Sequence, residues 1–157
     1  MLNFLSWGKG VQSTALLIAS IRGDWGLPRL DAVFHSDTQW ERQRTLETGD
    51  FYKSMAQAAG VPVIETTAGS VEKQGVDEHI HVPLYTSSGA PLRRMCSRHF
   101  KLRPIRRSVR RFLGCPESVP PHPPAGSARM WIGFSLDEWR RCDNVSKYGV
   151  VQYLVDS

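Results

Sequence analysis

The chain has 157 residues, 41% of them hydrophobic and 22% charged, with a formal net charge of +5. That length and balance suit one globular domain with a sizeable core, and no apolar run approaches the roughly 20 residues of a membrane span. Its three cysteines, Cys96, Cys115 and Cys142, lie far apart without a C-x-x-C pair, which argues for reduced thiols rather than a disulfide framework.

Met1 runs straight into a strand pattern, with no basic leader and no long apolar stretch, so a cytoplasmic location is expected. Residues 2–7 read as a buried strand, followed by the loop Gly8-Lys9-Gly10 and a helix opened by Ser13 and Thr14 that runs to about Arg22. Leu16, Leu17 and Ala19 face the sheet, and Gly23 sits near the C-cap. Residues 24–29 form a turn. A second strand over 30–35 ends in the polar cluster Ser36-Asp37-Thr38-Gln39. A long helix over 40–59 is predicted, with Leu46, Phe51, Met55 and Ala58 or Ala59 as its apolar stripe and Gly60 as its stop. Residues 61–66 read as a third strand.

Strand–helix–strand–helix–strand order implies parallel units with right-handed crossovers. Ligands in such sheets bind beyond the carboxyl ends of the strands, which here carry residues 6–13, 35–41 and 66–70. An irregular excursion over about 68–95, holding a short helix near 70–78, is followed by a basic amphipathic helix over 96–113. One of its faces carries Leu102, Ile105, Val109 and Phe112; another carries Arg103, Arg106 or Arg107, and Arg110. Five of the ten prolines fall within 114–128, a surface linker. A fourth strand over 130–134 leads into a helix opened by Ser135, with Glu138 completing a capping box, and 148–155 is a final extended segment. The expected fold is α/β: a single three-layer α/β/α sandwich with a mostly parallel, Rossmann-like sheet.

The loop over 8–14 is the candidate anion site. Two glycines let the backbone approach a phosphate, and the first N–H groups of the helix point at it. A Walker A loop is excluded because Gln12, not Lys, precedes Ser13. A dinucleotide fingerprint fails at its third glycine, where Ser13 stands.

Ser6-Trp7-Gly8-Lys9-Gly10-Val11-Gln12-Ser13-Thr14 resembles the PP-loop of the adenine nucleotide α-hydrolase superfamily, written S-G-G-x-D-S-T. It is most similar to the S-F-G-G-G-V-Q-S-T form of the phosphoadenosine phosphosulfate reductase-like proteins of phages and bacteria. Three further stretches agree in order. Phe34 to Glu41 resembles F-x-D-T-G-x-E. Arg94 to Ile105 resembles R-x-C-T-x-x-x-K-x-x-P-I, and Trp131 to Arg141 resembles I-G-I-S-x-D-E-x-x-R.

The resemblance implies an adenine nucleotide α-hydrolase-like fold and a bound adenine nucleotide, either ATP with Mg²⁺ or an adenylyl sulfate. It also implies adenylyl transfer with pyrophosphate release, or reduction of the sulfate, on an acceptor substrate that stays open. Ser6, Trp7, Gly8, Lys9, Gly10, Gln12, Ser13, Thr14, His35, Ser36, Asp37 and Gly133 are then the nucleotide-binding set. Arg94, Arg98, Lys101 and Arg141 contact phosphate or sulfate. Lys101, Asp37 and Lys9 are the catalytic candidates, with Asp37 also orienting Mg²⁺ or the ribose. Lys9 and Gln39 replace family glycines, and Gln12 stands where many members have Asp. The chain stops at Ser157, where relatives continue with a cysteine-bearing region, so a shortened form is expected.

Nine of the 20 Lys and Arg lie within 93–111, with no acid between them, and the remainder of the chain is net acidic. One reading makes this element a solvated helix. In the other, Arg93, Arg94, Arg98, Lys101 and Arg103 clamp phosphate, while Arg106, Arg107, Arg110 and Arg111 meet nucleic acid. Cys96 reads first as a packed free cysteine and second as a nucleophile, its flanking arginines raising the thiolate fraction. No zinc pattern is recognised. A nucleic-acid-binding module and a non-catalytic nucleotide binder are the competing functions. No membrane partner is expected, and assembly into a homo-oligomer stays open.

Overall fold

The structure is a computed structural model that describes residues 1–73, 97–116 and 120–135, together with the backbone of 150–155. Its strands are β1 (Leu2–Ser6), β2 (Ala32–Asp37), β3 (Val63–Thr67), β4 (Ala128–Ser135) and β5 (Val150–Val155). Its helices are α1 (Val11–Arg22), α2 (Gln43–Ala58) and α3 (Arg103–Phe112), the last entered through a π-helical segment, Ser97–Leu102. Four strands form an all-parallel sheet in the order β3-β2-β1-β4, and β5 pairs parallel to β4. The fold is α/β and Rossmann-like. Among the described residues, no helix is long and apolar enough to cross a membrane.

Side chains alternate across β1 because a strand has period two. Leu5 and Trp7 point to one face, where they meet Leu16 and Leu17 of α1, Ala56 of α2, Val33 and Trp131. Phe4 points to the other, with Ala32, Phe34 and Ile105 of α3. Phe112 adds edge-to-face contacts to Phe4 and Phe34, with ring centroids 5.3 and 5.8 Å apart. Burial of each such side chain contributes roughly 1.5–3 kcal/mol, so these two apolar layers hold the three-layer sandwich together.

Polar ties then fix the connections. The Ser20 hydroxyl donates to the Pro28 carbonyl at 3.0 Å and accepts the Leu30 N–H at 2.9 Å, fastening α1 to the turn before β2. α1 ends where Gly23 turns left-handed at φ +74°, the conformation a C-terminal glycine supplies.

Several boundaries differ from the sequence reading. β2 spans Ala32–Asp37 rather than 30–35, because Leu30 is held by the Ser20 hydroxyl and the Asp31 N–H bonds to the Asn3 carbonyl. α2 starts at Gln43, not Trp40. The Asp37 carboxylate accepts the Gln39 N–H at 2.8 Å and Thr38 Oγ1 donates to Glu41, making 38–42 a turn. Phe51 is exposed on α2, and Tyr52 packs against the core in its place. Leu102 is likewise exposed and Phe100 is buried instead, since a π-helical turn carries an extra residue and rotates the face that follows. The excursion over 68–95 falls mostly outside the described residues, as does the helix after Ser135. The proline-rich stretch is described except for 117–119.

Candidate functional site

β1 is followed in space by β2 and β3 on one side and by β4 on the other, so the strand order reverses at the β1/β4 boundary. In an open parallel sheet that is where a crevice forms beyond the strand ends. The loop over 7–10 and the start of α1 stand there. Gly10 is the N-cap, in extended conformation with φ −84° and ψ 169°, so neither Ser13 nor Thr14 caps the helix. The first helical bond runs from the Thr14 N–H to the Gly10 carbonyl at 3.0 Å. The N–H groups of Val11, Gln12 and Ser13 therefore precede the helical ladder. A Cβ built on Gly8 or Gly10 would meet nothing within 4 Å, leaving room for a ligand against the backbone.

The core fixes this loop from beneath. A Cβ at Gly133 of β4 would lie 2.9 Å from both the Gln12 carbonyl carbon and the Ser13 nitrogen. Glycine is required there for the helix start to rest on the sheet. Trp7 is buried in the core, and its indole N–H donates to Thr14 Oγ1 at 3.0 Å. Its ring is thus turned inward, and it serves the loop by holding Thr14. Ser13 Oγ donates to the Gly10 carbonyl at 3.2 Å. Ser6, half-buried at the end of β1, pairs with Phe34.

At the end of β2, His35 is 2% exposed, and its Nδ1 lies 2.9 Å from the Trp7 carbonyl. A carbonyl can only accept, so Nδ1 carries the proton. Burial depresses the imidazole pKa, with the Trp7 hydrogen bond opposing and the Lys9 charge assisting. The ring is accordingly neutral and Nε2 is a bare acceptor, buried with no hydrogen-bond partner among the described residues. Leaving such a group unsatisfied costs about 1–3 kcal/mol. The Ser36 hydroxyl donates to the Phe100 carbonyl, tying β2 to the π-helical segment.

Lys9 sits left-handed at φ +56° and Gln39 at φ +55°; among the described residues only Trp25 joins them as a non-glycine with positive φ. The Lys9 side chain is 6% exposed. Its ammonium is 3.8 Å from Glu65 Oε1, and Glu65 also pairs with Lys53. Its stem lies across Gly49 of α2, where an added Cβ would approach Lys9 Cδ to 2.6 Å. The Lys9 charge is thus directed to Glu65 of β3. Glu65 pKa is pushed up by burial, but the Lys53 hydrogen bond and the charges of Lys53 and Lys9 outweigh that and leave it lowered.

A cleft of about 320 Å³ lies between α2 and the end of β3, lined by Lys9, Asp37, Leu46, Asp50, Glu65, Thr66 and Thr67. Among the described residues no group of three or more His, Cys, Asp or Glu is placed to hold a metal. Mg²⁺ needs only one or two carboxylates when phosphates and water complete its shell, so Asp37 fits that limited role.

The arginine element divides differently from the sequence reading. Arg103, Arg107 and Arg111 line a second cleft of about 320 Å³ with Thr66, Thr67, Ala68, His99, Pro104 and Ser108. Arg110 instead bonds to the Pro116 and Pro121 carbonyls and to His122, anchoring the proline-rich stretch. Arg98 and Lys101 are exposed on the π-helical segment, outside both clefts. Arg93, Arg94, Cys96, Arg141 and Cys142 lie outside the described residues. Cys115 is half-buried, with its Sγ 3.8 Å from the Leu113 carbonyl.

Sequence reasoning missed Glu65 and Gly49, whereas Thr66 and Thr67 fall on the carboxyl edge it had marked over 66–70. No protein-family model matches the chain, and no curated protein matches it in sequence.

Proposed function

We propose that the chain is a PP-loop adenine-nucleotide-binding enzyme of the phosphoadenosine phosphosulfate reductase-like type, taking ATP or an adenylyl sulfate at the β1–α1 loop. The observation that carries this is the loop's position: unladdered N–H groups of Val11, Gln12 and Ser13 seated on Gly133 at the sheet's reversal point. A second observation supports it. Lys9 and Gln39, which stand where the resembled motifs have glycine, have left-handed backbones, a conformation glycine adopts without strain.

In this reading the loop N–H groups bind phosphate oxygens and stabilise charge that develops as the α-phosphorus is attacked, and the Ser13 hydroxyl joins them if it turns from the Gly10 carbonyl. With ATP, an acceptor atom bonds to that phosphorus as the bond to the bridging oxygen breaks, and pyrophosphate leaves with that oxygen; the adenylyl sulfate branch would in addition need a two-electron thiol reductant. Asp37 would hold Mg²⁺, which would supply charge neutralisation at the phosphates.

The test is a nucleotide panel, titrated with Mg²⁺ and scored for binding and for release of AMP and pyrophosphate. ATP binding with pyrophosphate release supports adenylyl transfer, whereas binding of adenylyl sulfate alone moves the chain to the reductase branch. The Cβ that Gly10→Val adds would meet no atom within 4 Å beyond its chain neighbours, so the side chain should occupy the space of a ligand. Nucleotide affinity should fall below detection; unchanged affinity would sink the loop assignment.

A further inference from the structure

Lys9 is the central residue of Gly8-Lys9-Gly10, and its backbone is left-handed at φ +56°, a conformation that crowds the Cβ of an L-residue against its own backbone. Strain of this kind persists only where the surroundings hold it. Two features hold Lys9. Its stem crosses α2 at Gly49, where an added Cβ would come within 2.6 Å of Lys9 Cδ and 2.9 Å of Cε. Its ammonium, on a side chain only 6% exposed, lies 3.8 Å from Glu65 Oε1 and 5.8 Å from the centroid of the Trp7 ring. The other Glu65 oxygen pairs with Lys53, so the carboxylate is held between β3 and α2. Glu65 thus reaches the loop from two strands away, across β2, where it stands opposite His35 in the register.

A buried ammonium left without a partner is costly, so the pair with Glu65 decides where the Lys9 stem runs. The stem in turn limits the backbone that carries it. Glycine would take the same φ without strain and would need no anchor. We propose that Glu65 is a positioning residue of the β1–α1 loop: acting through Lys9, it holds residue 9 left-handed and so keeps the Gly8 and Gly10 backbone open to a phosphate-bearing ligand. Lys9 then serves the site through its backbone, because its charge is met by Glu65. The role toward a ligand rests on the nucleotide reading above; the hold on the loop does not.

Hydrogen exchange followed by NMR tests that hold. Two protons report on the loop: the Thr14 N–H, bonded to the Gly10 carbonyl, and the Trp7 indole N–H, bonded to Thr14 Oγ1. The Leu30 N–H, bonded to Ser20 Oγ at the amino edge of the sheet, is the reference. Glu65→Gln should speed exchange of both loop protons about tenfold relative to Leu30 and weaken ATP binding about tenfold. In a Lys9→Gly background the same Glu65→Gln change should move neither quantity, since glycine needs no anchor. If Glu65→Gln does not fold, Lys9→Met, which keeps the stem and removes the charge, should produce the same acceleration. Unchanged loop exchange, an equal rise at Leu30, or the same acceleration with glycine at position 9 overturns the proposal. So does faster loop exchange with ATP affinity unchanged. A parent chain that binds neither ATP nor an adenylyl sulfate removes the nucleotide reading alone, and the exchange comparison still decides whether Glu65 holds the loop.

Discussion

The loop after β1 and the arginine-lined cleft beside β3 are built from opposite materials. The loop contributes backbone N–H groups and is held by the core: Gly133 beneath it, and Trp7 bonded to Thr14 within it. The cleft contributes side-chain charge from exposed arginines on one helix. A loop made from backbone is inseparable from the fold, whereas surface side chains can be replaced while the fold stands. Substitutions should therefore separate the two by their effect on stability.

Gly133→Val should have the largest effect. Its Cβ would sit 2.9 Å from two backbone atoms of α1, which cannot rotate away. A loss of about 3 kcal/mol is expected, or a drop in melting temperature of order 10 °C for a chain of this size. Arg103→Gln and Arg107→Gln should stay within about 0.5 kcal/mol of the parent. A Gly133→Val protein that melts with the parent would break the distinction. Thr14→Val comes next. It leaves the buried Trp7 N–H without its acceptor, at a cost of about 1–3 kcal/mol, readable by urea denaturation.

The parallel sheet and the loop at its edge were legible because each follows from local pattern: apolar runs, Gly at the turns and the order of the elements. What was hidden depends on contacts distant in sequence. Lys9 reads as a loop cation until Gly49, forty positions away, opens a channel for its stem and Glu65 meets its charge. Phe51 has the better apolar credentials on α2, but the helix's start at Gln43 and its packing on the sheet bury Ala56 and turn Tyr52 inward. The division of the arginines was equally illegible. Periodicity groups Arg103 with Arg110, whereas the fold sets Arg103, Arg107 and Arg111 beside β3 and gives Arg110 to the proline-rich stretch.

His35 provides a smaller effect beside the loop, read through pH. Its pKa is lowered from 6.5 in the folded chain, mainly by burial. The unfolded state therefore takes up the proton first. Stability contributed by neutral His35 is full above pH 6.5 and declines as pH falls below it. His35→Gln should flatten that slope in a series of melts from pH 7.5 to about 5. Glu65, also lowered, loses its contribution only below its ordinary 4.5, so the two windows separate. A slope that survives His35→Gln would assign the titration elsewhere.

The smallest effect concerns the strain kept at the edge of the loop site. Gln39 holds φ +55°, which costs an L-residue roughly 1–2 kcal/mol and glycine little. Gln39→Gly removes that cost but gives the unfolded chain more freedom, which returns about 0.5–1 kcal/mol. The net gain should be about 0.5 kcal/mol, visible as a rise of one or two degrees in melting temperature. Lys9→Gly relieves the same backbone strain at φ +56° but removes a buried stem and its pair with Glu65, so its sign should reverse. If both substitutions stabilise, the Lys9–Glu65 pair adds nothing to the fold. If Gln39→Gly stabilises and nucleotide affinity is unchanged, the left-handed turn shapes the site through its backbone path, and the identity of residue 39 is immaterial to binding.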